Sequence, residues 1–334
     1  MWTMIYVLAF TAAFAGSAWW KLSQDPTHGK YKTVWNDSVG TVHEDMAYGP
    51  GKLNRFDLYL PADDSQNRYG LVVYLHPGGF TGGDKAGDRD MCEWLTAKGY
   101  VSASINYTVL SGENPAASVD TMSREIREAI PEVVKSAAAL GYPVDEMAIG
   151  GGSAGDTLAM IYAYRDAAQS PVPVKMVFGS VGPSSFHLED WINMGQDPHK
   201  PVSVDPEADY SGIAGLFSAM SGNPVTDSML KNGTYRQAMK QIDAASWVTP
   251  DSVPTVEAYG AWDKVQPFAA SLRLKDALEK NGVPHEFFIM EHSGHGLQND
   301  TREYMTFMDT VSEYLEKYMP VSGNPVQSTD RQTR

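Results

Sequence analysis

At 334 residues, with 43 % hydrophobic and 20 % charged side chains and with 17 Tyr, 11 Phe and 8 Trp, the chain has the material for a sizeable packed core and falls outside the disordered class. Its 41 acidic against 26 basic residues leave a net charge of −15, a field that repels phosphate backbones and excludes nucleic-acid binding. A single cysteine, Cys92, excludes an internal disulfide framework and a zinc site built from several thiolates.

The first 20 residues carry no charge, and the apolar run from Ile5 to Phe14 has the length of a signal-peptide core. Ala13-Phe-Ala15 and Gly16-Ser-Ala18 offer the small-x-small pattern of a cleavage site, so residues 1–24 predict export, with a secreted or extracytoplasmic location. The rival readings are an uncleaved membrane anchor, since the run through Trp20 is just long enough to span a bilayer, and a cytoplasmic chain. Residues 25–320 then read as one folded unit.

The first clear strand, Arg55–Leu60, alternates with period two before Pro61 and reads as a half-exposed antiparallel edge. Short apolar runs follow at Leu71–Leu75, Val101–Ile105, Met147–Ile149, Lys175–Phe178, Thr255–Tyr259 and Phe287–Met290, of the kind buried in parallel sheets. Helical spacing lies between most of them, at Arg89–Lys98, Val119–Leu140, Ala154–Ala168, Pro267–Asn281 and Thr301–Tyr318. Pro131 predicts a kink or a break in the second of these helices. Strand and helix in alternation predict a doubly wound, mostly parallel α/β sheet. Ser184–Asp251 breaks the alternation and reads as a cap-like insertion over the sheet, or else as a subdomain packing on itself. The polar stretch 321–334 reads as a disordered tail.

The strongest chemical signal is Gly151-Gly-Ser153-Ala-Gly155, directly after a strand and directly before a helix. A serine on so sharp a turn needs a strained backbone, and glycines two before and two after remove the Cβ atoms that would clash. Its hydroxyl then stands exposed over a helix N-terminus that favours developing negative charge. His76-Pro-Gly-Gly-Phe80, after the strand Leu71–Leu75, supplies a second loop whose peptide N–H groups can turn inward. On a serine-hydrolase sheet an acid and a histidine should follow the serine in that order. Asp263 lies just after the strand Thr255–Tyr259, and His295, between Gly294 and Gly296, follows Phe287–Met290. His292 is the competing base, and His76 reads as a brace for its loop.

With these residues laid out, the chain from about Tyr31 to Tyr318 resembles the α/β-hydrolase superfamily, and within it the hormone-sensitive-lipase-like esterases and their acetyl- and feruloyl-esterase-like relatives. His76-Pro-Gly-Gly is similar to the family's His-Gly-Gly-Gly motif, Gly83-Asp-Lys85 to the Gly-Asp-Lys after it, and Asn106-Tyr107 to the Asn-Tyr after the next strand. The resemblance implies Ser153 as nucleophile, Asp263 as acid and His295 as base, with the N–H groups of Gly78, Gly79 and Ala154 as the oxyanion hole. Two departures from the pattern stand out: Pro77 replaces the first glycine, and Asp156 and Thr157 stand where the family has glycine and histidine or a similar pair. A carboxylate at 156 would partly oppose the dipole that faces the oxyanion.

The expectation is a serine carboxylesterase that needs no metal or organic cofactor and acts on small, aryl or acetyl esters, free or on a carbohydrate. No protein partner is predicted. An amidase or peptidase of formamidase type and a non-catalytic binding relative are the alternatives. Phe80, Trp191, Phe217 and Trp262 are the candidates for substrate contact, on their aromatic character near the expected site.

Overall fold

The computed structural model describes residue 27, residues 29–194, residue 200 and residues 202–321. The expected leader at 1–24 and the tail beyond 321 lie outside these residues. Among the described residues no helix is long and apolar enough to cross a membrane.

Eight strands form one sheet: β1 (Gly40–Ala47), β2 (Arg55–Pro61), β3 (Tyr69–Leu75), β4 (Val101–Ile105), β5 (Val144–Gly152), β6 (Val174–Ser180), β7 (Thr255–Gly260) and β8 (His285–Met290), in the spatial order β1-β2-β4-β3-β5-β6-β7-β8. β1–β2 and β2–β4 are antiparallel and every other pair is parallel. The helices are α1 (Arg89–Thr96), α2 (Val119–Ala139), α3 (Ala154–Ile161), four short ones between β6 and β7, α8 (Phe268–Asn281) and α9 (Thr301–Tyr318). The four are α4 (Leu188–Ile192), α5 (Ser211–Ser221), α6 (Asp227–Asn232) and α7 (Arg236–Met239).

Because successive strand residues point to opposite faces, the sheet divides its apolar side chains between two cores. Leu71, Val73, Leu75 and Ile149 pack with Ile126, Ile130 and Val133 of α2, with Leu158 and Ile161 of α3 and with the α4–α7 segment. Val72, Ala148, Phe178 and Val256 pack on the other face with Trp94 and Leu95 of α1 and Phe307, Val311 and Leu315 of α9. Helices on both faces explain why the parallel strands read as unbroken apolar runs.

Two expectations change. Arg55–Leu60 is no edge: β2 lies between β1 and β4, and from Phe56 to Pro61 it is buried. Its alternation is real, but Asp57 on the second face is buried against Lys85 at 2.8 Å instead of facing water. The antiparallel edge is β1, whose polar Thr41–Met46 stretch and bulge between His43 and Met46 leave it without a hydrophobic period. Pro131 does not break α2, which runs as one helix of 21 residues. The proline is on the exposed side, where water can take the carbonyl it leaves without a partner.

The sheet order reverses at β3, which has β4 on one side and β5 on the other. That is the switch point at which open α/β sheets form a crevice beyond the carboxyl ends of their strands. Leu75 pairs with Gly151 in register, so the loop starting at His76 and the turn at Ser153 leave the sheet side by side.

Candidate active site

Ser153 is the N-cap of α3, one residue past β5, with φ 52° and ψ −116°. A non-glycine residue at positive φ is strained and persists only where its surroundings over-determine it. Those surroundings are tight. A Cβ at Gly155 would lie 1.9 Å from the Leu75 carbonyl oxygen, and one at Gly151 2.4 Å from the Gly155 carbonyl carbon. Both glycines are therefore required by close backbone approach. The Ser153 N–H donates to Ser180 O at 2.8 Å, which ties the turn to β6.

Asp263, His295 and Ser153 come together from three separate strand ends. Asp263 Oδ2 lies 2.7 Å from His295 Nδ1, and His295 Nε2 lies 3.0 Å from Ser153 Oγ. The Asp263 side chain is buried, and its other oxygen accepts the N–H groups of Val265 at 2.7 Å and Gln266 at 3.2 Å. Held so, the carboxylate can only receive Nδ1–H, which leaves Nε2 as the acceptor for the serine hydroxyl. His292, the competing base, points elsewhere: its side chain is 80 % exposed and bonds Asp300 at 2.8 Å, which raises its pKa. Asp300 also accepts from Ser293 Oγ at 2.6 Å and His292 N at 2.9 Å, pinning the loop that carries His295. No spacing or motif in the sequence marks Asp300.

The loop after β3 arches over the same turn. Gly78 has φ 144° and Gly79 φ 60°, and a Cβ at Gly78 would meet the Gly82 carbonyl oxygen at 2.1 Å. The N–H groups of Gly78, Gly79 and Ala154 have no protein acceptor among the described residues, so they are free for an oxyanion. His76 braces this loop. Its ring stacks on Tyr107 with centroids 4.2 Å apart, its Nδ1 lies 2.9 Å from Pro77 O, and Tyr107 Oη donates to His76 O at 2.7 Å. Burial lowers the His76 pKa and keeps the ring neutral. Asn106 joins the neighbouring motifs, accepting from Lys85 N at 2.7 Å and donating to Asp84 at 2.8 Å.

Ser153 and His295 open onto a cavity of about 240 Å³, lined by Gly79 and Phe80 and by the apolar side chains of Leu110, Val119, Met122, Trp191, Leu216 and Met220. A larger cavity of about 510 Å³ begins at their neighbours Gly152 and Gly296 and is lined by Tyr31, Tyr74, Asp88, Gln298 and Tyr304. Of the four substrate-contact candidates, Phe80 and Trp191 line the smaller cavity. Phe217 does not: it is fully buried, packed edge-on against Trp191 at 5.3 Å and Phe186 at 5.6 Å. On α5 it is the adjacent Leu216, with Ala219 and Met220, that meets the cavity. Trp262 does not line it either, being 48 % exposed with its indole N–H donated to Glu291 O at 3.0 Å.

Asp156 stands in the first turn of α3, as expected. It is fully buried on the side of α3 facing β6 and β7, with Oδ2 accepting Gly182 N–H at 2.8 Å. Burial raises its pKa, and the Glu257 carboxyl beside it is raised too, by burial first and by the Asp156 charge second. Among the described residues no group of three or more His, Cys, Asp or Glu could hold a metal ion.

A BD-FAE family model matches residues 56–278, a span that includes Ser153 and Asp263 and stops before His295. Part of a non-reducing polyketide synthase of Stachybotrys bisbyi is 22 % identical over 291 residues, covering 72 % of this chain and 13 % of that much longer protein. Among solved structures, a thermophilic esterase from Thermogutta terrifontis superposes with a TM-score of 0.62 at 20 % identity, covering 86 % of this chain and 96 % of its own. A truncated carbohydrate esterase from gut microbiota gives 0.62 at 17 % identity, covering 84 % and 98 %. At such identities these likenesses establish a shared α/β fold.

Proposed function

The chain belongs to the BD-FAE family of α/β-hydrolase-like esterases, and from that premise we propose that it hydrolyses carboxylic esters through an acyl-enzyme on Ser153. The observation that carries the mechanism is the relay of 2.7 Å and 3.0 Å from Asp263 through His295 to Ser153 Oγ, beside three unengaged peptide N–H groups. As Ser153 Oγ attacks the ester carbonyl, its proton passes to His295 Nε2, and Asp263 stabilises the resulting imidazolium. The Gly78, Gly79 and Ala154 N–H groups take the charge that develops on the carbonyl oxygen. His295 returns the proton to the leaving alcohol, then activates the water that releases the acid.

The apolar cavity of about 240 Å³ supports a short or single-ring acyl group; an apolar cavity of ~150 Å³ already holds benzene. The wider, tyrosine-lined cavity supports an alcohol half that can be as large as a sugar. The apolar run at Ile5–Phe14 supports an exported enzyme, which N-terminal sequencing of secreted protein tests. Rates on nitrophenyl acetate, butyrate and octanoate, on methyl ferulate, on acetylated xylan and on matched anilides test the substrate reading. Faster turnover of the anilides than of the esters would overturn it in favour of an amidase.

A further inference from the structure

Behind the catalytic turn, three buried carboxyl oxygens lack a hydrogen-bond donor: Asp156 Oδ1 and both oxygens of Glu257. The two acids meet each other, and neither has a cation among the groups that shift it. The nest is built for the Asp156 carboxyl. A Cβ at Gly179 would lie 2.0 Å from Oδ1 and one at Gly182 2.7 Å from Oδ2, so two missing side chains make its room. Gly179 pairs in register with Glu257 across β6 and β7, which brings the second acid to the same place. The other titratable groups facing the pair are the phenols of Tyr164, Tyr259 and Tyr74, each raised well above the ordinary tyrosine range by burial and so neutral.

Two carboxylates buried side by side with no basic side chain to offset them cannot both ionise. Asp156 ionises first, because Gly182 N–H supports its charge and Glu257 has no comparable donor. One proton then remains, and on Glu257 it can donate to Asp156 Oδ1, which engages two of the three orphaned oxygens.

We propose that Asp156 and Glu257 share one proton as a positioning pair for the catalytic site, tying the helical turn behind Ser153 to the strand that leads to Asp263. Asp156 is three residues after the strained serine, and Glu257 is six before the acid of the relay. The bridge clamps those two segments across β6, and a residue held at φ 52° needs such a clamp to stay in place.

This inference rests on the esterase reading for its kinetic half, and the test has a second half that does not. At pH 8 the infrared difference spectrum between wild type and Glu257→Gln should contain a protonated carboxyl stretch that the variant lacks. Asp88, which burial pushes up to about 8, is present in both proteins and cancels. Glu257→Gln keeps an N–H donor for Asp156 and should retain kcat within about threefold, whereas Glu257→Leu should lose about 10–100-fold in kcat with KM little changed. If Glu257→Leu fails to fold, the spectrum and the glutamine rescue decide alone. Absence of the band, a glutamine variant as damaged as the leucine one, or a leucine variant equal to wild type would each overturn the pair. Loss of all ester turnover with the band present would instead fault the esterase reading.

Discussion

At the turn carrying Ser153, residue types are dictated by contacts within a few residues or across one strand pair: Gly151 against Gly155, and Gly155 against the Leu75 carbonyl. In the segment from 181 to 254, between β6 and β7, side chains meet partners tens of residues away, as Phe217 meets Phe186, Trp191 and Tyr235. Local backbone geometry leaves a signature that glycine spacing reveals. Aromatic packing leaves none that separates a cavity wall from a core, since both want the same residue types.

The largest effect should come from the turn. Ser153→Ala removes the proposed nucleophile and little packing, so kcat should fall about 10³–10⁶-fold with an unchanged melting temperature; retention of a tenth of the activity would remove the serine from the mechanism. Asp263→Asn should cost up to about 10⁴ in kcat, because the amide cannot hold the Nδ1–H tautomer. Kinetics at saturating nitrophenyl acetate check both.

The 181–254 segment should respond the other way round. Phe217→Ala should cost about 3–5 kcal/mol of stability and leave the ranking of acetyl, butyryl and octanoyl esters as it was. Denaturant melts beside kcat/KM ratios would expose a hidden substrate role if the ranking moved. Trp191→Ala should do both, because the indole lines the cavity and also stacks on Phe186 at 5.4 Å. Its share of acyl discrimination should be about 1.5–3 kcal/mol, read as a compressed chain-length preference.

The smallest effect should come from beneath the turn, where Asp156 meets a partner about 100 positions away in the sequence. Burial pushes Asp156 up to about 7, against about 3.9 in an unfolded chain. Between those values the folded protein binds the extra proton, so its contribution to stability is whole below about pH 4 and lost as pH rises toward 7. Melting temperature from pH 4.5 to 7.5 should therefore decline more steeply in wild type than in Asp156→Asn, and equal slopes would place the carboxyl in water.

Most of the sheet and the positions of the three relay residues were legible in the sequence, since each follows a strand end and Ser153 and His295 also sit beside glycines. What escaped has physical reasons. β1 is a polar, bulged edge strand with no hydrophobic period. Asp57 looked solvent-facing because a charge is seldom buried, and only Lys85, 28 positions on, shows why it can be. Phe217 and Leu216 are neighbours on one helix, and half a helical face decided which met the cavity. Glu257 sits in an apolar strand run, where a lone acid carries no hint of Asp156 until β6 and β7 are laid side by side.

The proposed mechanism has Ser153 alone form the acyl-enzyme, which intact mass followed by peptide mapping after treatment with a nitrophenyl alkylphosphonate tests. One adduct per chain, on the peptide containing Ser153, with no labelling of Ser153→Ala, is the predicted result. An adduct on another residue, or a Ser153→Ala protein labelled as fast as wild type, would contradict it.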